Sequence, residues 1–144
     1  MIDVFNRTGV PNVSAVRVSE ESVNKYGIAD VIDVEPGVFK IKEIVEKPDI
    51  GKAPSNLATH GAYIMPPGLF EILENTKIGK GGELWLVDAI TKLAKEQDVY
   101  AVEIANGTYY DTGNKLEYLK AVVEFGLKHD EIKEEFSKYL KTLK

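Results

Sequence analysis

The sequence reads as a domain in which helices cover a β-sheet, α/β or α+β in class, and three observations lead there. Two β-rich runs flank a Pro-Gly turn at residues 35–37, apolar residues recur at helical spacing between 83 and 96, and two further amphipathic runs close the chain. A chain of 144 residues buries about 68–70% of the surface its unfolded form exposes, enough for one core without staples. No Pro/Gly/Ser-rich linker divides it, so residues 1–144 are expected to form one structural unit.

In chain order, Ile2 and Phe5 stand three apart at the end of an amphipathic helix that Thr8-Gly9 stops, with Pro11 beyond. A helix starting at residue 1 without a cap suggests that the chain is a piece of something larger. Val13 to Val18 reads as a short strand and 19–24 as a polar connection. Tyr26 to Val34 and Val38 to Val45 are expected to pair as a hairpin around Glu35-Pro36-Gly37, where Pro presets φ and Gly supplies a positive one. A loop over 47–55 leads to a strand, Asn56 to Met65. Pro66-Pro67-Gly68 then opens a helix that carries Leu69, Phe70 and Leu73 and ends near Asn75. After a loop over 77–82, Leu86, Val87, Ile90, Leu93 and Ala94 mark a helix from Glu83 to Glu96. Val99 to Ile104 and Thr108 to Asp111 flank Asn106-Gly107, a strong hairpin signal. Helices over 114–128 and 130–143 complete the chain, the second with Ile132, Phe136 and Leu140 at steps of four.

Composition removes several kinds of function. There is no cysteine, hence no disulfide framework, thiolate metal site or cysteine nucleophile, and the usage suits a reducing cytoplasm. A formal charge of −5 with two arginines, Arg7 and Arg17, argues against nucleic acid as a partner, because phosphate neutralisation needs clustered basic side chains. No stretch approaches the roughly 18 consecutive apolar residues of a membrane span. Two histidines, His60 and His129, are too few for a His-rich metal site, and no serine lies in a G-x-S-x-G context. The cluster Gly79-Lys80-Gly81-Gly82-Glu83 lacks the spacing of a P-loop or a dinucleotide fingerprint. It reads as a flexible helix entry whose unpaired N–H groups near Glu83 can meet an anion or hydroxyl.

Two constellations bear chemistry. In Val45-Glu46-Lys47-Pro48 a carboxylate and an ammonium emerge side by side where Pro48 ends a strand. Neighbours on a strand point to opposite faces, so the pair acts together only if the strand gives out there and loop geometry takes over; otherwise it is an exposed edge. In Tyr109-Tyr110-Asp111-Thr112-Gly113-Asn114-Lys115 an acidic residue stands where the chain turns into a helix, as a ligand or as the beginning of that helix's cap.

Beyond these pairs, six blocks stand in a characteristic order: Tyr26-Gly27-Ile28-Ala29-Asp30, Val45-Glu46-Lys47-Pro48, Ala53-Pro54-Ser55-Asn56-Leu57-Ala58, Gly61-Ala62-Tyr63, Gly81-Gly82-Glu83-Leu84 with Asp88-Ala89-Ile90, and Tyr110-Asp111-Thr112-Gly113-Asn114-Lys115-Leu116. In this the chain resembles the C-terminal half of the bacterial-type UTP–glucose-1-phosphate uridylyltransferases, and more distantly other sugar-phosphate nucleotidyltransferases. The resemblance implies an α/β, Rossmann-like nucleotidyltransferase (nucleotide-diphospho-sugar transferase) fold with a mixed sheet and covering helices. It implies the reaction of UTP with glucose 1-phosphate to UDP-glucose and pyrophosphate, with Mg²⁺.

Carried over by residue, the resemblance implies that Lys47 holds the phosphate of glucose 1-phosphate and that Glu46 accepts hydrogen bonds from sugar hydroxyls. Gly27 lets backbone approach the sugar, Glu83 lies near the sugar pocket, and Asp111 is a carboxylate ligand of Mg²⁺. A compact ammonium suits a phosphate and a hard cation suits oxygen ligands. The chain departs from the family in having no Gly-rich nucleotide loop and no earlier metal-binding aspartate. It also has Ala62, Trp85 and Val87 where members usually carry Arg, Gln and Thr. The expectation is a sugar-phosphate-binding part that is inactive alone and associates with its own kind through surfaces the missing half would cover. The alternative expectation is a non-catalytic ligand-sensing or oligomerisation module derived from the same fold.

Overall fold

Local chemistry sets the ends of each element in the computed structural model, which describes residues 1–79 and 82–143. A helix, α1 (Ile2–Thr8), stops at Gly9 in the left-handed conformation. Strand β1 (Asn12–Arg17) follows, and the polar stretch after it winds into a short 3₁₀ helix, Glu20–Lys25. Strands β2 (Gly27–Glu35) and β3 (Val38–Glu46) form the expected hairpin. Its turn needs a φ of +77° at Gly37, a conformation that costs a residue without a Cβ nothing. Strand β4 (Leu57–Ile64), helices α2 (Leu69–Glu74) and α3 (Leu86–Glu96) and strand β5 (Tyr100–Glu103) come next, and helices α4 (Lys115–Lys128) and α5 (Lys133–Thr142) end the chain.

The five strands close on themselves in the order β1-β4-β2-β3-β5, with β5 returning to β1. All pairings are antiparallel except β1 with β5, which places Asn12 opposite Tyr100 and Ala15 opposite Glu103. The sheet is therefore mixed, as the resemblance implied. Val13, Ala15, Ala29, Ile41, Leu57, Val99 and Ala101 are wholly or almost wholly buried in one cluster with Ala89, Ile90 and Leu93 of α3. Apolar residues at helical spacing on α3 thus cover one side of the sheet. The Thr91 hydroxyl adds a polar tie by accepting the Ile44 N–H at 2.9 Å.

The chain forms two compact units, Met1–Asn106 and Gly107–Lys144. The first holds all five strands with α1 to α3, and the second holds α4 packed on α5. Among the described residues no helix is long and apolar enough to cross a membrane.

Four expectations need correction, the first being the single structural unit, because the chain divides into two at Asn106-Gly107 with no Pro/Gly/Ser-rich linker to mark the place. Residues 108–111 form no strand, so Asn106-Gly107 does not join a hairpin. The reason is topological: β5 already has β1 on one side and β3 on the other, leaving no edge for a following strand to pair with. Helix α3 begins at Leu86, three residues later than expected, because Gly82 takes φ +80° and Trp85 is extended. Helix α5 begins at Lys133, after a turn over 130–132. The glycine cluster falls partly on Lys80 and Gly81, which lie outside the described residues.

Candidate functional site

The mouth of the β2–β3 hairpin brings three of the expected residues together. Gly27 begins β2 and lies opposite Glu46, the last residue of β3. The next residue, Lys47, has φ +46°, the sole positive φ of a non-glycine residue among those described. Side chains at such a φ crowd their own backbone, at a cost of about 1–3 kcal/mol where the surroundings impose it. The Lys47 N–H donates to the Tyr26 carbonyl at 3.0 Å, so the turn out of the strand is pinned. The strand therefore gives out where Pro48 said it would. Lys47 Nζ comes to 3.6 Å from Glu46 Oε1 instead of pointing to the opposite face.

The two charges are unequally placed. The Glu46 side chain is 19% exposed and that of Lys47 is 60% exposed, so the carboxylate is set inward and the ammonium stands at the rim. Such an ammonium can meet a phosphate, and such a carboxylate can accept hydrogen bonds from a neutral polyol. Gly27 makes room for this. A Cβ there would stand 3.1 Å from Glu46 Oε2, 3.1 Å from Ile44 Cγ2 and 3.2 Å from Thr59 Oγ1. Any larger residue must push one of these aside.

Two residues to which sequence reasoning gave no role belong to the same neighbourhood. Tyr63 on β4 has its phenol pushed up from the usual range, chiefly by burial and then by the negative charge of Glu46. The buried Thr59 hydroxyl donates to the Gly27 carbonyl at 3.2 Å. Tyr63 stood inside a recognisable block, but nothing in spacing alone marks Thr59.

Glu83 and Asp111 are held differently. Glu83 is exposed and precedes α3 instead of opening it; its carboxylate accepts the Trp85 indole N–H at 3.2 Å and its carbonyl accepts the Gly79 N–H at 2.8 Å. Asp111 belongs to the second unit, where its Oδ1 accepts the Gly113 N–H at 3.0 Å and its carbonyl accepts the Asn114 N–H at 2.9 Å. The cap of α4 is Asn114, whose side chain accepts from Leu116 N and Glu117 N. Asp111 thus shapes the turn before the helix and keeps one carboxylate oxygen, Oδ2, outside that bond. Among the described residues no three His, Cys, Asp or Glu side chains group as a metal cage. A lone carboxylate fits a cation that keeps most of its waters and takes further oxygens from phosphates.

Residues 1–141 match the model of a family described as nucleotidyl transferase. A UTP–glucose-1-phosphate uridylyltransferase of Staphylococcus saprophyticus is 38% identical over 143 residues, which is 99% of this chain and 50% of that protein. A UTP-bound UGPase from Acinetobacter baumannii superposes with a TM-score of 0.87 at 37% identity, over 100% of this chain and 49% of that one. A UDP-glucose pyrophosphorylase complexed with UDP-glucose gives 0.83 at 37% identity, over 88% and 48%. The chain therefore spans about half the length of the relatives it matches, and with the family's model covering almost all of it, it belongs to the nucleotidyl transferase family.

Proposed function

We propose that the chain is the sugar-phosphate-binding part of a UTP–glucose-1-phosphate uridylyltransferase, which in its full length forms UDP-glucose and pyrophosphate from UTP and glucose 1-phosphate in the cytoplasm. The observation that carries this reading is the Glu46–Lys47 pair, turned together at a strand end by a left-handed residue and set beside a glycine with no room for a side chain. Lys47 holds the phosphate of the sugar phosphate. Glu46 orients the ring by accepting from its hydroxyls, and Gly27 lets the ring lie against backbone. Glu83, in the segment leading to α3, contributes a further carboxylate at the sugar pocket. The sugar phosphate oxygen attacks the α-phosphorus of UTP in line and pyrophosphate leaves, so the protein's work is positioning and neutralisation of charge. Asp111 is the residue here that holds Mg²⁺, which when bound offsets phosphate charge. The names of the relatives support the choice of substrates.

The test is a titration of the chain with glucose 1-phosphate, with and without Mg²⁺, followed by amide NMR. Shifts centred on Gly27, Glu46 and Lys47 are expected, with Lys47→Ala weakening binding about ten- to hundredfold, as befits a charged hydrogen bond. Asp111→Ala is expected to remove only the Mg²⁺-dependent shifts. No shift at millimolar ligand overturns the reading. UTP turnover by the chain on its own would overturn its description as a part.

A further inference from the structure

Strands β2 and β4 are neighbours in the sheet, yet a single residue pair joins them, Ile28 opposite Ala58. Two side-chain hydroxyls extend that short ladder. On one side of Ile28, Ser55 Oγ donates to the Ala29 carbonyl at 2.6 Å while accepting the Leu57 N–H at 3.0 Å. On the other side Thr59 Oγ1 donates to the Gly27 carbonyl at 3.2 Å. The Ser55 hydroxyl thus relays the Leu57 N–H to the Ala29 carbonyl, and the Thr59 hydroxyl is a side-chain donor to the Gly27 carbonyl, each a modest net contribution to stability.

The two ties are not equivalent, because only one reaches the candidate site. Gly27 is the residue opposite Glu46, and the carbonyl just before it, that of Tyr26, accepts the N–H of Lys47. Thr59 Oγ1 and Glu46 Oε2 lie 3.2 and 3.1 Å from the one point where a Gly27 Cβ would stand. The hydroxyl therefore bounds the same gap that accommodates the carboxylate. We propose that Thr59 is a positioning residue, holding the Gly27 peptide so that the Glu46 carboxylate and the turned backbone of Lys47 keep their places. Its expected effect on ligand binding rests on the sugar-phosphate reading above; its effect on the geometry does not.

Thr59→Val keeps the shape and replaces the hydroxyl by a methyl against the Gly27 carbonyl, whereas Thr59→Ser keeps the donor. In the ligand-free chain, hydrogen exchange of the Lys47 amide is compared with that of Ile41, which donates to Val99 in the middle of the sheet. The valine variant is expected to speed exchange at Lys47 about three- to tenfold, the range of one net hydrogen bond, with Ile41 unchanged. Glucose 1-phosphate is expected to bind three- to tenfold more weakly, and serine to restore both. Should the valine chain not fold, Thr59→Ala, which removes the donor without the methyl contact, carries the same comparison. Unchanged exchange at Lys47, equal acceleration at Ile41, or no rescue by serine overturns the proposal. If Lys47 loosens in the valine variant but the unaltered chain takes up no glucose 1-phosphate, the positioning role is supported and the sugar-phosphate reading falls.

Discussion

Lys47 bears a backbone conformation that glycine would adopt freely, and it does so at the one place where its ammonium meets the Glu46 carboxylate. Strain of this kind persists only where surroundings over-determine it, here the bond from its N–H to Tyr26 and Pro48 immediately after. Lys47→Gly is accordingly expected to raise stability in urea unfolding by about 1 kcal/mol while weakening glucose 1-phosphate binding about ten- to hundredfold, an exchange of function for stability. A loss of stability instead would mean that the φ is no burden. The site is legible in the sequence at some residues and not at others. Pro48 marks the end of the strand, and so the adjacency of Glu46 and Lys47 follows from the sequence. The sign of the Lys47 φ does not, since only the chain's route out of the hairpin decides it. Thr59 is invisible to pattern because its partner, the Gly27 carbonyl, is thirty-two residues away.

Among the elements, those specified by neighbours in sequence were legible: the β2–β3 hairpin from its Pro-Gly turn, and α3 from its apolar spacing. What was not legible depends on distant pairing. The parallel match of β5 with β1 consumes an edge that Asn106-Gly107 would otherwise have offered to a following strand. Helix α1 illustrates long-range attachment by charge, since Arg7 in its last turn is paired with Glu35 at the end of β2. The hydrogen bond from Arg7 holds the Glu35 carboxyl below the usual range, opposed in part by desolvation, and the charge of Arg7 adds a lesser pull in the same downward direction. A carboxyl lowered in the folded state contributes stability above its unfolded value and loses it as pH falls through the folded one. Amide protection in α1 is therefore expected to hold from neutral pH down to the ordinary glutamate range and to fall below it. Glu35→Gln is expected to show the weaker protection already at neutral pH, without the acid step. The pair is exposed, so added salt should narrow the difference.

At the scale of the whole molecule, apolar side chains remain uncovered in both units. Ile32 and Val34 are exposed on the half of β2 that has no partner strand on its second side, and Leu116, Leu119 and Phe125 are exposed on α4. Surfaces of this sort associate, and a strand edge is a ready template for another chain. Sedimentation is expected to show association that rises with concentration; a clean monomer at high concentration would count against it. The indole of Trp85 is bonded to the Glu83 carboxylate and lies close against Gly79. Because the chain has only this one tryptophan, its fluorescence belongs to a single address, the approach to α3. The fold thus carries a native optical gauge of that segment, one that needs no dye and registers when the Glu83 carboxylate exchanges its indole partner for another.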